Sequence, residues 1–329
     1  MNENPINVSV LTFKDWFDSD RIYTRPKEGK HGGGIVTKYL YVKTCLPDLH
    51  VTDDCSDPNL KQMLLIEPMF IERDYSEKLE ALRKHRGIKL LWAEEQAVFR
   101  WDPRQRKRIF DAVDGLVACN LYQKQLLQVI AGELPIYVLR SPIPEITEVS
   151  DHREKRVIAV SKIGLQKNTD AILKVFESLP EGIEKVFLGN AGLWGSHRYL
   201  YDLAIEEQIA ETADRHITGA SLAEVSEILS TSAIYLSMTI YDVGSLAFLE
   251  AGMSGCTCVC WDYHPMFDEY SSVVRFRDVD EAVKVIERRM EQPATIDAQM
   301  RAEIIEKHSA EQFENALKSL FLEVFYYAP

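Results

Sequence analysis

The chain has 329 residues, long enough for two domains with a core each, and carries 51 acidic against 38 basic side chains for a net charge of −13. That balance argues against nonspecific coating of nucleic acid, although it leaves room for a local basic patch. No apolar run is long enough to span a bilayer, Met1-Asn2-Glu3-Asn4-Pro5 lacks the pattern of a signal peptide, and Cys45, Cys55, Cys119, Cys256, Cys258 and Cys260 show no disulfide framework, so a cytoplasmic location is expected.

In chain order, the first half alternates short apolar runs with helical patterns. Val8 to Phe13, Leu64 to Ile66, Ile88 to Trp92, Gly115 to Cys119 and Ile136 to Leu139 read as strands. Continuous apolar strands separated by helices predict a parallel sheet covered on both faces. After the first strand, His31-Gly32-Gly33-Gly34-Ile35-Val36-Thr37-Lys38 opens a helix. It lacks the spaced glycines of a dinucleotide fingerprint and the ending of a P-loop, and suits either close approach of backbone to a substrate or a plain flexible loop. Leu90-Leu91-Trp92-Ala93-Glu94-Glu95-Gln96 is a buried strand ending in paired acids. Glu94 and Glu95 stand where a carboxylate can take a proton from an acceptor hydroxyl, or on an ordinary surface turn. Arg100, Arg104, Arg106, Lys107 and Arg108 share their run with one acid, Asp102, and read as a solvated helix start or a phosphate-contacting patch.

Ser141 to Arg153, polar and punctuated by proline, is the best linker. The alternation then restarts, with strands at Arg156 to Val160, Lys185 to Leu188, His216 to Thr218, Ala233 to Ser237 and Cys256 to Trp261, and a helical tail from Ile296 whose apolar end, Leu320 to Tyr327, needs a surface. The fold class expected is α/β, with two doubly wound Rossmann-like domains facing a cleft. Ligands of such sheets bind beyond the carboxyl ends of the strands, where this chain places Lys162 and Lys167, Gly189 and Ile217. The most informative stretch is Asp242-Val243-Gly244-Ser245-Leu246-Ala247-Phe248-Leu249-Glu250, two carboxylates eight residues apart around a loop-to-helix transition. The helix start offers N–H groups to phosphate and Glu250 can accept hydrogen bonds from a ribose diol, which together describe a nucleotide; a capped helix with a solvated Glu250 is the bland alternative. Cys256, Cys258 and Cys260 alternate along one strand face, which suits packing better than zinc binding.

Together these second-domain segments resemble retaining nucleotide-sugar glycosyltransferases of the GT-B fold, the family-4 group above all. That family has an Arg and a Lys at its first strand–helix junction, matched here by Lys162 and Lys167, and two glutamates eight apart, matched by Asp242 and Glu250. The resemblance implies a nucleotide diphosphate sugar as donor substrate, with no metal and no further cofactor. Lys162, Lys167 and the N–H groups of Gly244, Ser245 and Leu246 would face the diphosphate, Glu250 the ribose, Asp242 the transferred sugar and the Ile217 backbone the base. Gly33, Gly34 and Gly189 would line the same site. It divides the chain into an acceptor-side domain over 1–145, a nucleotide-sugar domain over 146–308 and a helix over 309–329 that packs back on the first. A narrower stretch is similar to phage DNA alpha-glucosyltransferases. Gly34-Ile35-Val36-Thr37-Lys38 and Phe248 to Trp261 carry this likeness, and Glu95 falls where their proposed catalytic aspartate stands, with Glu94 and Gln96 in place of flanking histidines. This likeness implies an acceptor in double-stranded DNA, a hydroxylated or hydroxymethylated base, with His31, Lys38, Glu94, Arg100, Arg104, Lys107 and Arg108 on the acceptor side. A small-molecule, lipid or glycan acceptor is the same-class alternative. A metal-dependent fold reading Asp18-Ser19-Asp20 or Asp278-Val279-Asp280, and a nucleotide-binding module without turnover, are the rivals from other classes.

Overall fold

The computed structural model describes residues 7–12, 34–72, 75–93, 97–146, 149–189, 200–242, 244–292 and 294–327. They form two compact units, one built from Ile35–Pro144 with the first strand and the chain from His308 onward, the other from Glu145–Lys307. Among the described residues no helix is long and apolar enough to cross a membrane.

The first unit runs β1 (Val8–Leu11), α1 (Gly34–Cys45), β2 (His50–Thr52), β3 (Met63–Ile66), α2 (Pro68–Glu72), α3 (Tyr75–Lys84), β4 (Ile88–Trp92), α4 (Ala97–Arg100), α5 (Pro103–Phe110), β5 (Gly115–Ala118), α6 (Leu121–Ala131) and β6 (Ile136–Val138). All strands are parallel, in the order β2-β1-β3-β4-β5-β6. Met63-Leu64-Leu65-Ile66 is buried throughout because both sheet faces are covered. Its alternate side chains feed separate cores, Leu64 and Ile66 on one face and Met63 and Leu65 on the other. The helices start where side chains can take the first free N–H groups: Asp102 accepts from Arg104 N and Gln105 N ahead of Pro103, and Asn120 accepts from Gln123 N.

The second unit runs β7 (Glu154–Val160), α7 (Thr169–Ser178), β8 (Glu184–Leu188), α8 (Leu200–Thr212), β9 (Arg215–Ile217), α9 (Leu222–Thr231), β10 (Ser232–Ser237), α10 (Leu246–Met253), β11 (Thr257–Trp261), β12 (Val274–Phe276), α11 (Val279–Met290) and α12 (Ala298–His308). Its parallel sheet has the order β12-β11-β10-β7-β8-β9. This is the doubly wound order, and the direction of winding reverses between β7 and β10. Finally α13 (Ala310–Tyr327) returns to the first unit, where Phe313, Leu317, Leu320 and Val324 join Val10, Tyr39, Leu65 and Trp92 in one core.

Three expectations are corrected. Strands β2 and β12 are additional: each has three residues and lies at a sheet edge, too short and too polar to show as an apolar run. Arg153 is no solvated linker residue. It is 3% exposed, and its guanidinium donates to the carbonyls of Leu229, Ser232 and Ser254. The strand expected from Cys256 starts at Thr257.

Candidate functional site

The switch point of the second sheet gathers the residues of interest. Beyond β7 the chain passes the half-buried Lys162 and makes a 3-10 turn over Leu165–Lys167. Asn168 then takes a left-handed conformation, φ 53° and ψ 46°, and α7 begins. Asparagine tolerates that region better than most side chains. The turn directs Lys167 at Asp242, which follows β10, and the two form an ion pair with 14% and 15% of their side chains exposed. The other carboxylate oxygen of Asp242 accepts from Gly244 N at 3.3 Å. Burial pushes the Asp242 carboxyl upward, but the Lys167 ammonium, the Gly244 N–H and nearby His264 outweigh it and hold the group below the usual carboxylate range.

The backbone joins the same loops. Gln166 O accepts from Ile240 N at 2.9 Å and from Tyr241 N at 3.3 Å. Ser245 caps α10 by accepting from Phe248 N and is also bonded to the hydroxyl of buried Tyr235. The α10 N-terminus thus opens at the strand ends with the positive end of its dipole. Glu250 is 4% exposed and falls just over one turn into α10, nearer the helix start than the two turns expected. Gly252 lets α10 pack against α12, for a Cβ there would sit 2.7 Å from Ile304 Cγ1.

On the other side of β7, Gly189 has φ +151°, and a Cβ would lie 1.8 Å from Ser161 O. Its N–H donates to Ile217 O at 2.9 Å, so one lone pair of the Ile217 carbonyl is engaged, and its own carbonyl accepts from His216 Nε2. Lys167, Asp242, Gly244, Ser245 and Leu246 are therefore brought together. A cation beside a helix N-terminus stabilises an anion, and carboxylates there accept from hydroxyls.

His31, Gly33, Glu94 and Glu95 lie outside the described residues. Gly34 is the first residue of α1. Lys38 is 1% exposed and its ammonium lies 3.4 Å from the centre of the Trp92 ring, a cation–π contact in the first unit's interior. Arg100 ends α4, and Arg104, Lys107 and Arg108 are exposed on α5, with Lys107 paired to Asp111 at 2.9 Å. The thiols of Cys256, Cys258 and Cys260 are pushed up by burial, Cys256 to about 12, which keeps them protonated. Asp278 accepts from Glu281 N as the cap of α11.

His264, Gln166 and Tyr235 were not singled out by sequence reasoning. His264 is the third residue after β11, a strand end like the others. The sequence does not reveal that β11 lies beside β10, so its neighbour Asp242 stayed hidden.

The model of the family described as Glycosyl transferases group 1 matches residues 144–310. No curated protein matches the chain in sequence. Among solved structures it is similar to TarM, at 14% identity and TM-score 0.59 over 79% of this chain, and spans 54% of the length of that one. It is also similar to HepE of Anabaena in complex with UDP and glucose, at 12% identity and TM-score 0.64 over 88% of this chain and 83% of the other. A UDP-forming alpha,alpha-trehalose-phosphate synthase from Burkholderia xenovorans gives 12%, 0.62, 87% and 77%. At such identities the likeness is one of fold, two parallel-sheet Rossmann-like units.

Proposed function

The chain belongs to the Glycosyl transferases group 1 family, and from that premise we propose that it moves a sugar from a nucleotide diphosphate sugar to an acceptor hydroxyl, with retention at the anomeric carbon and without a metal. The observation that carries this reading is the Lys167–Asp242 pair at the switch point, beside the N-terminus of α10. UDP in the HepE complex makes a UDP-sugar the first donor to try.

Cleaving the sugar–phosphate bond leaves negative charge on the departing diphosphate. Lys162, Lys167 and the N–H groups of Gly244, Ser245 and Leu246 stabilise it in this reading. Glu250 accepts from the ribose hydroxyls, Asp242 holds the transferred sugar, the base lies along the backbone at Ile217, and Gly33, Gly34 and Gly189 let the backbone come close. Glu95 acts as acid/base or positioning group at the acceptor and Glu94 and His31 as acceptor contacts, whereas Lys38, buried against Trp92, is left out of that role.

The acceptor proposed is a hydroxylated or hydroxymethylated base in double-stranded DNA. The exposed Arg104, Lys107 and Arg108, continuing from Arg100, support it as phosphate contacts for a duplex whose target base is flipped out. The test is nucleoside diphosphate release from a panel of nucleotide sugars in chelator, with and without hydroxymethylated DNA. Release stimulated by DNA, and lost steeply with salt, is expected. Release that DNA leaves unchanged moves the acceptor to glycans, lipids or small molecules, release only without chelator overturns metal independence, and donor binding with no release under any condition reduces the protein to a binding module.

A further inference from the structure

The loop from β10 to α10 is tied down one N–H after another. Ile240 N and Tyr241 N donate to Gln166 O, and the next donor, Asp242 N, lies 2.9 Å from Nε2 of His264. Gln166 belongs to the turn after β7 and His264 to the turn after β11, so each strand flanking β10 contributes a clamp. His264 is 1% exposed and its ring lies 5.6 Å from that of Phe267, which in turn packs on Phe248 of α10 at 5.1 Å. Its other nitrogen, Nδ1, lies 3.1 Å from Met266 N in a 3-10 turn over Pro265–Glu269.

A neutral imidazole has one lone-pair nitrogen, so it accepts from one of these two N–H groups at a time. Asp242 N is the nearer of the two donors, 2.9 Å from Nε2 against 3.1 Å between Met266 N and Nδ1, and the lone pair is assigned to it. Asp242 N belongs to the residue whose carboxylate meets Lys167, and the direction of that N–H fixes the backbone from which the carboxylate projects.

We propose that His264 is a positioning residue of the donor site: its Nε2 accepts the Asp242 N–H and so holds the Asp242 carboxylate on Lys167 in the orientation that the nucleotide sugar meets. The inference rests on the donor-site reading above. Released from His264, the 241–242 peptide can turn, so the Asp242 carboxylate is no longer held ready for the donor and donor binding weakens.

Two substitutions separate the ring nitrogens, because His264→Gln carries an acceptor out to the place of Nε2 and His264→Asn only to that of Nδ1. With UDP-glucose as donor, His264→Ala and His264→Asn are expected to raise KM about tenfold with kcat changed much less, and His264→Gln to restore most of the loss. An Asn variant that rescues as well as Gln, or an Ala variant with the original KM, overturns the proposal and leaves His264 as a cap of its own turn. Nitrogen-15 spectra of the free protein read the tautomer without any donor. They are expected to show His264 protonated on Nδ1 and bare on Nε2; a proton on Nε2 overturns the proposal. If the unmodified protein turns over no nucleotide sugar, the transferase reading fails, while the spectrum still decides what His264 does.

Discussion

Lys167 and Asp242 were each visible in the sequence as charged residues near strand ends, but their partnership was not, since 75 positions separate them and only the adjacency of β7 and β10 closes the gap. Asp242→Asn keeps the shape and the Gly244 contact while removing the charge that meets Lys167. Turnover should fall at least tenfold, about 1.4 kcal/mol, with little change in the far-ultraviolet spectrum; unchanged turnover would remove Asp242 from the site. The pH dependence has a definite sign. The folded carboxyl is held below its ordinary value of 3.8, so the stability it contributes is fully present above that pH and is lost as the pH falls through the lower folded value. Urea unfolding should therefore show a constant gap between the two proteins from pH 8 to about 5, closing in stronger acid. A gap that closes near neutrality would mean that another group carries it.

Central elements were legible because burial on both faces demands continuous apolar runs: Met63-Leu64-Leu65-Ile66 or Thr257-Cys258-Val259-Cys260 admit no other reading in this alternation. Edge strands such as His50-Val51-Thr52 and Val274-Arg275-Phe276 are covered less fully, tolerate polar residues and leave no such trace. Junctions are the other blind spot, and Gly189 shows why. In sequence it is a common strand-end glycine, yet any side chain there meets the fixed carbonyl of Ser161. Gly189→Ala should destabilise the protein by about 3 kcal/mol or more. Gly182→Ala is the control, since Gly182 also has positive φ, +88°, but has nothing within 4 Å of its Cβ position, and should cost only about 1 kcal/mol. Equal melting midpoints for the two variants would refute the argument. Glu303 on α12 makes the complementary case for a helix holding a loop. Burial raises its carboxyl, yet the Lys307 ammonium and the N–H groups of Ser271 and Ser272 bring it down to about 2. Its contribution is present above about pH 4.5 and lost toward pH 2. Glu303→Gln should therefore be less stable than the unmodified protein at pH 7 and equally stable near pH 2.

At the scale of the whole chain, the order of residues is not the order of the units, because α13 leaves the second unit's sequence behind and completes the core of the first. An amphipathic tail announces that it has an apolar face but says nothing about the surface that receives it, so this part of the organisation was legible only as a need. The joint is aromatic: Phe313 stacks on Trp92 with ring centroids 6.0 Å apart and planes 14° from parallel, and Tyr39 meets the same indole edge-on at 5.9 Å. Phe313 is 2% exposed, so truncation to alanine removes a filled volume in a packed core and should cost about 3–4 kcal/mol. That loss belongs to the sheet carrying Trp92, not to the sheet carrying Lys167 and Asp242. Hydrogen exchange of Phe313→Ala should accordingly show lost protection at the amides of β1, β3 and β4 and native protection at those of β7, β8 and β10, with donor affinity unchanged. Protection lost equally from both sheets would mean that the two units unfold as one cooperative body, and protection retained in both would mean that α13 adds no stability to the core it covers.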